Sequence, residues 1–197
     1  MKEEYVQIAG RRIRYLTGGA GKPLVLLHGW SFNADTWVES GIFNAFAERY
    51  AVYAIDMPYG LRTKSERFRA SRPEYAKYLR QLLDALGLAD PPLVGPSASG
   101  EVVLWYLAYR LPARAAVVVG PVGLTAELLK ALEGVETPVL ALWGELDDVS
   151  PPANAQLLRG RNVKTVILQG ARHAAYLDKP KEFVEIVMKF VESVYLT

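Results

Sequence analysis

The sequence predicts an α/β fold: a doubly wound, mostly parallel β-sheet with an antiparallel hairpin at its N-terminal edge. Three observations favour it. Short runs rich in Val, Ile and Leu recur without polar alternation, which is typical of strands buried on both faces of a parallel sheet. Segments with helical spacing separate these runs. The start of the chain alternates in polarity, as a hairpin does.

The strands of this sheet follow from the hairpin and the apolar runs. Residues 4–9 and 12–16 alternate around Ala9-Gly10-Arg11, which predicts the hairpin turn. The runs predicted as further strands are 24–27, 51–55, 93–94, 115–119, 138–143 and 163–168. Together they predict a sheet of about eight strands.

Two long segments show the spacing of amphipathic helices. Apolar residues recur at steps of three and four between 75 and 86, where Ser71 and Glu74 form a capping box and Gly87 ends the helix. The same spacing between 183 and 194 predicts a C-terminal helix.

Composition excludes several classes of protein. The chain has 197 residues, 51% of them hydrophobic and 22% charged, which is typical of a soluble globular domain. The absence of cysteine excludes disulfides, thiolate zinc sites and cysteine nucleophiles. A net charge of +2 gives no overall signature of nucleic-acid binding.

No internal repeat, linker or membrane segment is evident in the sequence. The first residues lack the pattern of a signal peptide, and the apolar stretch 115–124 is too short to span a bilayer. We therefore expect residues 1–197 to form one domain of a cytoplasmic protein that binds neither nucleic acid nor a membrane.

A serine follows the strand at 93–94, in Gly95-Pro96-Ser97-Ala98-Ser99-Gly100. A nucleophile elbow requires a sharp turn from strand to helix, with small residues two before and two after the serine. Gly95 and Ser99 meet this condition, although Ser99 replaces the commoner glycine. The alternative is an ordinary turn rich in Gly, Pro and Ser.

An acid and a histidine follow two other strands. Asp147 lies in the loop after 138–143, and His173 follows 163–168. A buried carboxylate can orient an imidazole, although acids also cap helices and lone histidines are often structural. The order Ser97, Asp147, His173 is that of the catalytic triad of α/β-hydrolases. Asp148 is the alternative acid if the loop is shifted by one residue.

The loop His28-Gly29-Trp30 follows the strand at 24–27. An oxyanion hole of this kind combines a backbone N–H from such a loop with the N–H of the residue after the nucleophile. We expect Trp30 and Ala98 to be these donors, and His28 to hold the loop by hydrogen bonding.

With these motifs the chain resembles the α/β-hydrolases over about residues 5 to 195. Leu-Leu-His-Gly-Trp, Asp56-Met57-Pro58, the serine elbow, Gly-x-x-Asp and Gly-x-x-His-x-x-x-Leu-Asp-x-Pro occur in the family's order. Pro-Ser-x-Ser-Gly and Tyr176-Leu177-Asp178-Lys179-Pro180 resemble, more narrowly, the small capless α/β-hydrolase domain-containing protein 14 group. The resemblance implies the α/β-hydrolase fold and esterase-like activity, and for one relative the transfer of acetyl groups from lysine to coenzyme A. Tyr59 departs from the family pattern, which commonly has a glycine there.

The space for a lid and the motifs for a cofactor are both missing from the sequence. Residues 120–137 leave room for one short helix at 125–132 and for no lid domain, so we expect a shallow, open site. The glycine-rich segment 18–23 has the wrong spacing for a phosphate loop, and two distant histidines cannot form a zinc site. We expect no cofactor and no metal.

These residues predict a serine hydrolase that cleaves small carboxylic esters or thioesters through an acyl-enzyme. Ser97 attacks the carbonyl, His173 transfers the proton and Asp147 fixes the imidazole. Two alternatives stay open. Coenzyme A could exchange the acyl group in place of water, or the fold could serve as a non-catalytic protein-binding module.

A basic segment at 61–80 carries a net charge of +5. One interpretation is an ordinary solvated surface. The other is that Arg67 and Arg69 attract an anionic part of the substrate, such as the phosphates of an acyl-coenzyme A, with His28 and Tyr59 as further substrate contacts. The expected partner is a small acyl ester or thioester that could be anionic, and the sequence leaves protein partners open.

Overall fold

The computed structural model describes residues 1–160 and 162–196, which form one eight-stranded β-sheet. Its strands are Lys2–Ile8 (β1), Arg11–Gly18 (β2), Pro23–Leu26 (β3), Ala51–Ile55 (β4), Leu93–Pro96 (β5), Ala116–Val119 (β6), Val139–Gly144 (β7) and Val163–Leu168 (β8). Their spatial order is β1-β2-β4-β3-β5-β6-β7-β8. The pairs β1–β2 and β2–β4 are antiparallel and the others are parallel, which confirms the predicted sheet and its hairpin edge.

Helices connect the strands and cover both faces of the sheet. They are Asp35–Glu39 (α1), Ile42–Ala47 (α2), Arg72–Ala85 (α3), Ala98–Ala108 (α4), Ala126–Ala131 (α5), Ala175–Asp178 (α6) and Pro180–Leu196 (α7), with a 3₁₀ helix at Pro152–Gln156. The predicted capping box at the start of α3 is present. The sequence pattern missed α1, α2 and α6, because helices this short offer too few positions for a spacing to repeat.

The core consists of two apolar layers, one on each face of the sheet. Along β6, Val118 packs into the layer beneath α3, α4 and α5, whereas Val117 and Val119 pack into the layer beneath α1, α2, α6 and α7. Burial on both faces explains why such a strand shows no polar alternation in the sequence.

The last strand, β8, differs from the prediction that it would be buried on both faces. It ends the sheet, and its side chains Lys164 and Thr165 are exposed. Among the described residues, β8 pairs with β7 alone and forms an edge of the sheet. Polar side chains at such an edge can reach solvent.

The loops that hold the predicted site residues leave the sheet at the carboxyl ends of β3, β4, β5, β7 and β8. The segment between β6 and β7 holds α5 and forms no lid, as predicted. Within 1–160 and 162–196, no helix is both long enough and apolar enough to cross a bilayer.

Candidate active site

Ser97 lies between β5 and α4 in a strained conformation. Its φ of 51° and ψ of −115° fall in a region that residues other than glycine rarely adopt. The strand and the helix approach so closely that a Cβ at Gly95 would lie 2.5 Å from the carbonyl oxygen of Ser99. A Cβ at Gly100 would lie 2.9 Å from the Cβ of Pro121. The turn has the strained backbone and crowded geometry of a nucleophile elbow.

A continuous hydrogen-bonded line joins Ser97, His173 and Asp147. The Nε2 atom of His173 lies 2.9 Å from the Oγ of Ser97, and its Nδ1 atom lies 2.9 Å from both carboxylate oxygens of Asp147. A carboxylate oxygen accepts, so the Nδ1 N–H of His173 donates to Asp147, which leaves Nε2 to accept from the Ser97 hydroxyl. The structure thus brings together the three side chains predicted from separate strand ends.

The carboxylate of Asp147 is fully buried and held by the backbone of its own loop. Its Oδ1 accepts from the N–H groups of Val149 and Ser150, at 3.0 and 2.8 Å. Asp148 is exposed, and the carboxylate that contacts His173 is that of Asp147. The geometry therefore favours Asp147 over the alternative acid.

Gly120, directly after β6, is a site residue that the sequence reasoning missed. A Cβ at this position would lie 2.7 Å from the Oδ2 of Asp147 and 3.2 Å from the Nδ1 of His173. Its φ of 49° is also unfavourable for other residues. The signal was available in the sequence, since a glycine directly follows a predicted strand at the edge where the acid and the histidine meet.

Two backbone N–H groups beside Ser97 are free to bind an anion. Among the described residues, the N–H groups of Trp30 and Ala98 have no hydrogen-bond acceptor. Ala98 is the first residue of α4, where the helix leaves its N–H groups unpaired. The Trp30 loop lies next to the nucleophile, because a Cβ at Gly29 would lie 3.9 Å from the Cβ of Ser97. These are the two donors predicted for the oxyanion hole.

His28 and Tyr59 lie behind this loop and do not line the cavity. Their side chains are buried, with relative exposures of 1% and 2%. The Nδ1 atom of His28 lies 3.0 Å from the carbonyl oxygen of Gly29, and burial lowers the pKa of the imidazole. The structure therefore places neither side chain in the cavity lining, and the expectation that they contact substrate stays a prediction without support from this geometry.

The cavity at Ser97 is small and open. It has a volume of about 250 Å³, and its lining includes Trp30, Phe32, Ser97, Val149, His173 and Tyr176. Trp30 and Val149 are 43% and 60% exposed, so the mouth is apolar and accessible to solvent. A larger cleft of about 600 Å³ lies at the opposite edge of the sheet and contains none of the three linked side chains.

The basic segment reaches the cavity wall through a residue that the sequence analysis did not single out. The Arg72 guanidinium lies 5.1 Å from the ring of Trp30 and pairs with Glu101 at 3.3 Å. Arg69 is exposed, and Arg67 is exposed and donates to the carbonyl oxygen of Leu61. Within 1–160 and 162–196, no group of His, Asp or Glu side chains is arranged to hold a metal ion.

Comparison with known proteins gives consistent matches. A family model described as the alpha/beta hydrolase fold matches residues 22–136. Protein ABHD14A of Danio rerio is 34% identical over 85% of this chain, which spans 63% of the length of that relative. The human protein named "Putative protein-lysine deacylase ABHD14B" is 30% identical, and the match covers 97% of this chain and 95% of that protein.

A solved structure extends the likeness to three dimensions. It is described as a "predicted CIB-like hydrolase from Thermoplasma acidophilum" and superposes with a TM-score of 0.87, at 26% identity and with 98% of each chain covered. The family model spans more than half of the chain, and the human relative matches almost all of it. This protein therefore belongs to the α/β-hydrolase family, with a resemblance to the ABHD14 proteins.

Proposed function

We propose that this protein is a serine hydrolase that cleaves small carboxylic esters or thioesters through an acyl-enzyme intermediate. The observation that carries the proposal is the line from Ser97 through His173 to Asp147, whose contacts are all 2.9 Å. A strained serine, an imidazole with a defined tautomer and a buried carboxylate are what nucleophilic catalysis by serine requires.

Acylation uses the histidine and carboxylate beside Ser97 as well as the two backbone N–H donors. The Oγ of Ser97 attacks the carbonyl carbon while the Nε2 of His173 accepts the hydroxyl proton, and the buried Asp147 stabilises the resulting imidazolium. The N–H groups of Trp30 and Ala98 bind the negative oxygen of the tetrahedral intermediate. His173 then returns the proton to the departing alkoxide or thiolate, and the acyl group stays on Ser97.

Deacylation repeats these steps with a new nucleophile. His173 takes a proton from an incoming water, the water oxygen attacks the acyl carbon, and the acid leaves as Ser97 recovers its proton. The open mouth of the cavity gives water direct access. The volume of about 250 Å³ favours short acyl groups over long lipid chains.

A second function, removal of acyl groups from lysine side chains, is favoured by the name of the human relative. An amide has a poorer leaving group than an ester, so this reaction requires His173 to protonate the departing amine. With a thiol such as coenzyme A in place of water, the same acyl-enzyme would give acyl transfer. The triad is common to all of these reactions.

Labelling with a fluorophosphonate tests the proposal at Ser97. We expect the wild type to be labelled, Ser97→Ala to be unlabelled and His173→Ala to be labelled far more slowly. Ser193→Ala is the matched control, because Ser193 is an exposed serine on α7, and its labelling should equal that of the wild type. A folded wild type that resists labelling would favour the non-catalytic binding module.

A substrate screen then separates the reactions. Short esters, thioesters and an acylated lysine peptide are each assayed with and without coenzyme A. Release of free acid in the absence of coenzyme A indicates hydrolysis. Turnover that requires added coenzyme A and yields acyl-coenzyme A indicates transfer.

A further inference from the structure

We propose that Tyr59 and Ser99 are positioning residues for the oxyanion hole, acting on it through the main chain of the His28–Trp30 loop. This inference rests on the proposed function, because it assigns a role to residues behind the same site. Neither side chain lines the cavity at Ser97. Their effect on the reaction therefore passes through the loop that carries the Trp30 N–H.

The structural basis is a buried chain of two hydroxyl groups. The Oγ of Ser99 donates to the carbonyl oxygen of His28, and the Tyr59 hydroxyl is bonded to the same Oγ. Ser99 is fully buried and Tyr59 nearly so. The strand pairing of this region ends at Leu27, whose N–H donates to the carbonyl of Val94. The Ser99 hydroxyl thus donates to the carbonyl oxygen of His28, directly after the last residue that pairs with the neighbouring strand.

The direction of both hydrogen bonds follows from the chemistry of the groups. A carbonyl oxygen only accepts, so the single hydroxyl proton of Ser99 points to His28. The Tyr59 hydroxyl must then be the donor to Ser99. Burial raises the pKa of the Tyr59 phenol, which keeps it protonated and able to donate throughout the working pH range.

Two further contacts couple the Tyr59 turn to Trp30 itself. The N–H of Leu61 donates to the carbonyl oxygen of Trp30 at 2.7 Å, and the rings of Tyr59 and Trp30 stack with centroids 6.3 Å apart. Between them, a Cβ at Gly60 would lie 2.7 Å from the same Trp30 oxygen. These contacts and the Ser99 bond to His28 hold the peptides on both sides of the Gly29–Trp30 peptide, so a shift of Tyr59 would move the Trp30 N–H.

The two hydrogen-bonded hydroxyl groups also belong to two residues that depart from the family pattern. Ser99 and Tyr59 both stand where the wider α/β-hydrolase pattern commonly has glycine. A glycine at either position would remove a hydroxyl from the chain. The two residues contact each other, so we treat the two departures as one feature. The serine two residues after the nucleophile receives its hydrogen bond from the tyrosine in the turn after β4.

The test compares Tyr59→Phe, Ser99→Ala and the double variant. Loss of a whole oxyanion donor costs about 10²–10³ in kcat. We expect about a 10²-fold loss for Ser99→Ala, which leaves the His28 carbonyl without its donor, and about a tenfold loss for Tyr59→Phe. The double variant should equal Ser99→Ala, because both changes break the same chain. KM should stay within about twofold.

A boronic acid that forms a tetrahedral adduct with Ser97 gives the second measurement. Its inhibition constant should rise by the same factor as kcat falls, since both report how well the oxyanion is bound. Tyr106→Phe is the matched control, because Tyr106 is a buried tyrosine of α4 whose hydroxyl donates to Pro112. It should keep the wild-type kcat whatever its effect on thermal unfolding.

The inference fails if Tyr59→Phe keeps the wild-type kcat and boronate affinity, or if the two single losses multiply in the double variant. It also fails if Tyr59→Phe loses only thermal stability, as a packing residue would. Failure of the proposed function is a different result, because the wild type itself would then resist the fluorophosphonate. If Ser99→Ala does not fold, the kcat and boronate affinity of Tyr59→Phe still decide the inference.

Discussion

The two sides of Ser97 are held in place by different means. On the acid–base side, His173 and Asp147 stand in short loops after β8 and β7 and present their side chains to the nucleophile. On the proposed oxyanion side, the groups expected to bind the substrate oxygen are backbone N–H groups, and the buried Ser99 hydroxyl hydrogen-bonds to the main chain of their loop. In the proposed mechanism, the first side acts through its own side chains, whereas the second acts through backbone groups whose supporting side chains lie outside the cavity lining.

The support behind the oxyanion side extends well beyond the site. The guanidinium of Arg14, 2% exposed, pairs with Glu3, Asp35 and Asp56 at 2.8, 2.6 and 3.1 Å. Asp56 in turn accepts from the N–H groups of Ala34 and Lys64. This network anchors the segment after the His28–Trp30 loop to the turn after β4. We therefore expect changes on the acid–base side to abolish chemistry, and changes on the oxyanion side to weaken it in steps.

The largest effect is expected where the two sides meet. Ser97→Ala removes the nucleophile and should lower kcat for a short ester by about 10⁶, with no loss of folding. His173→Ala should cost about as much, because nucleophile and base act as a unit. Steady-state kinetics and circular dichroism check both statements. Ester hydrolysis within about tenfold of wild type would rule out Ser97 as the nucleophile.

The next effect isolates the carboxylate of the acid–base side. Asp147→Asn should lower kcat by about 10⁴, since the amide favours the wrong tautomer of His173 and no longer stabilises the imidazolium. The neighbouring change Asp148→Asn removes the same charge from an exposed position and should leave kcat almost unchanged. The reverse ranking of the two variants would assign the orienting role to Asp148.

Gly120 offers a steric test of the same side. Gly120→Ala should lower kcat by about 10²-fold, because the new methyl group displaces Asp147 and His173 from each other. Gly87→Ala is the control: its φ is also positive, and no atom lies within 4 Å of the new Cβ. Both variants should lose about 1–2 kcal/mol in the free energy of unfolding from backbone strain. Equal kcat values in the two variants would contradict the steric role of Gly120.

The acid–base side could be predicted almost completely from the sequence, and the oxyanion side only in outline. Ser97, Asp147 and His173 each follow an apolar run, and the order of the three carries a known chemistry. Backbone donors leave no such mark. Trp30 and Ala98 were predicted only because the motif gives the places of the donors, not from the identity of their side chains.

Tyr59 and Ser99 show why the rest could not be predicted. Both were visible as departures from the family pattern, but 39 residues lie between them and nothing in the sequence pairs them. Their contact depends on how the turn after β4 crosses the start of α4, which only the tertiary structure shows. For the same reason Arg72, 42 residues from Trp30, was missed as the cation beside the Trp30 ring.

A smaller effect is expected from the length of the acyl chain. The cavity of about 250 Å³ is open at Trp30 and Val149, and no lid covers it. Esters with acyl groups of about two to four carbons should have a kcat/KM roughly tenfold higher than esters with acyl groups of about twelve carbons. The open cavity does not enclose a long acyl chain in apolar surface. A series of p-nitrophenyl esters measures this. A preference for the long chains would indicate an apolar surface beyond the cavity that binds them.

Salt should have the smallest effect, and it tests whether the basic segment adds anything to either side. Residues 61–80 follow β4 and so leave the sheet at the same edge as Ser97. If Arg67 and Arg69 attract an anionic substrate, its turnover at low concentration should fall a few-fold as salt reaches about 0.1 M, where the screening length is roughly 10 Å. A neutral ester should change little, because it has no charge for the segment to attract.

Removing charge in matched pairs decides whether the attraction is local. Replacing Arg67 and Arg69 with Gln should flatten the salt dependence for the anionic ester. Replacing Lys130 and Lys189 with Gln removes the same charge from exposed positions on α5 and α7 and should leave the dependence intact. If both pairs flatten it equally, net charge alone is responsible. If charged and neutral esters respond alike in the wild type, residues 61–80 are an ordinary solvated surface, and the substrate meets only the two sides of Ser97.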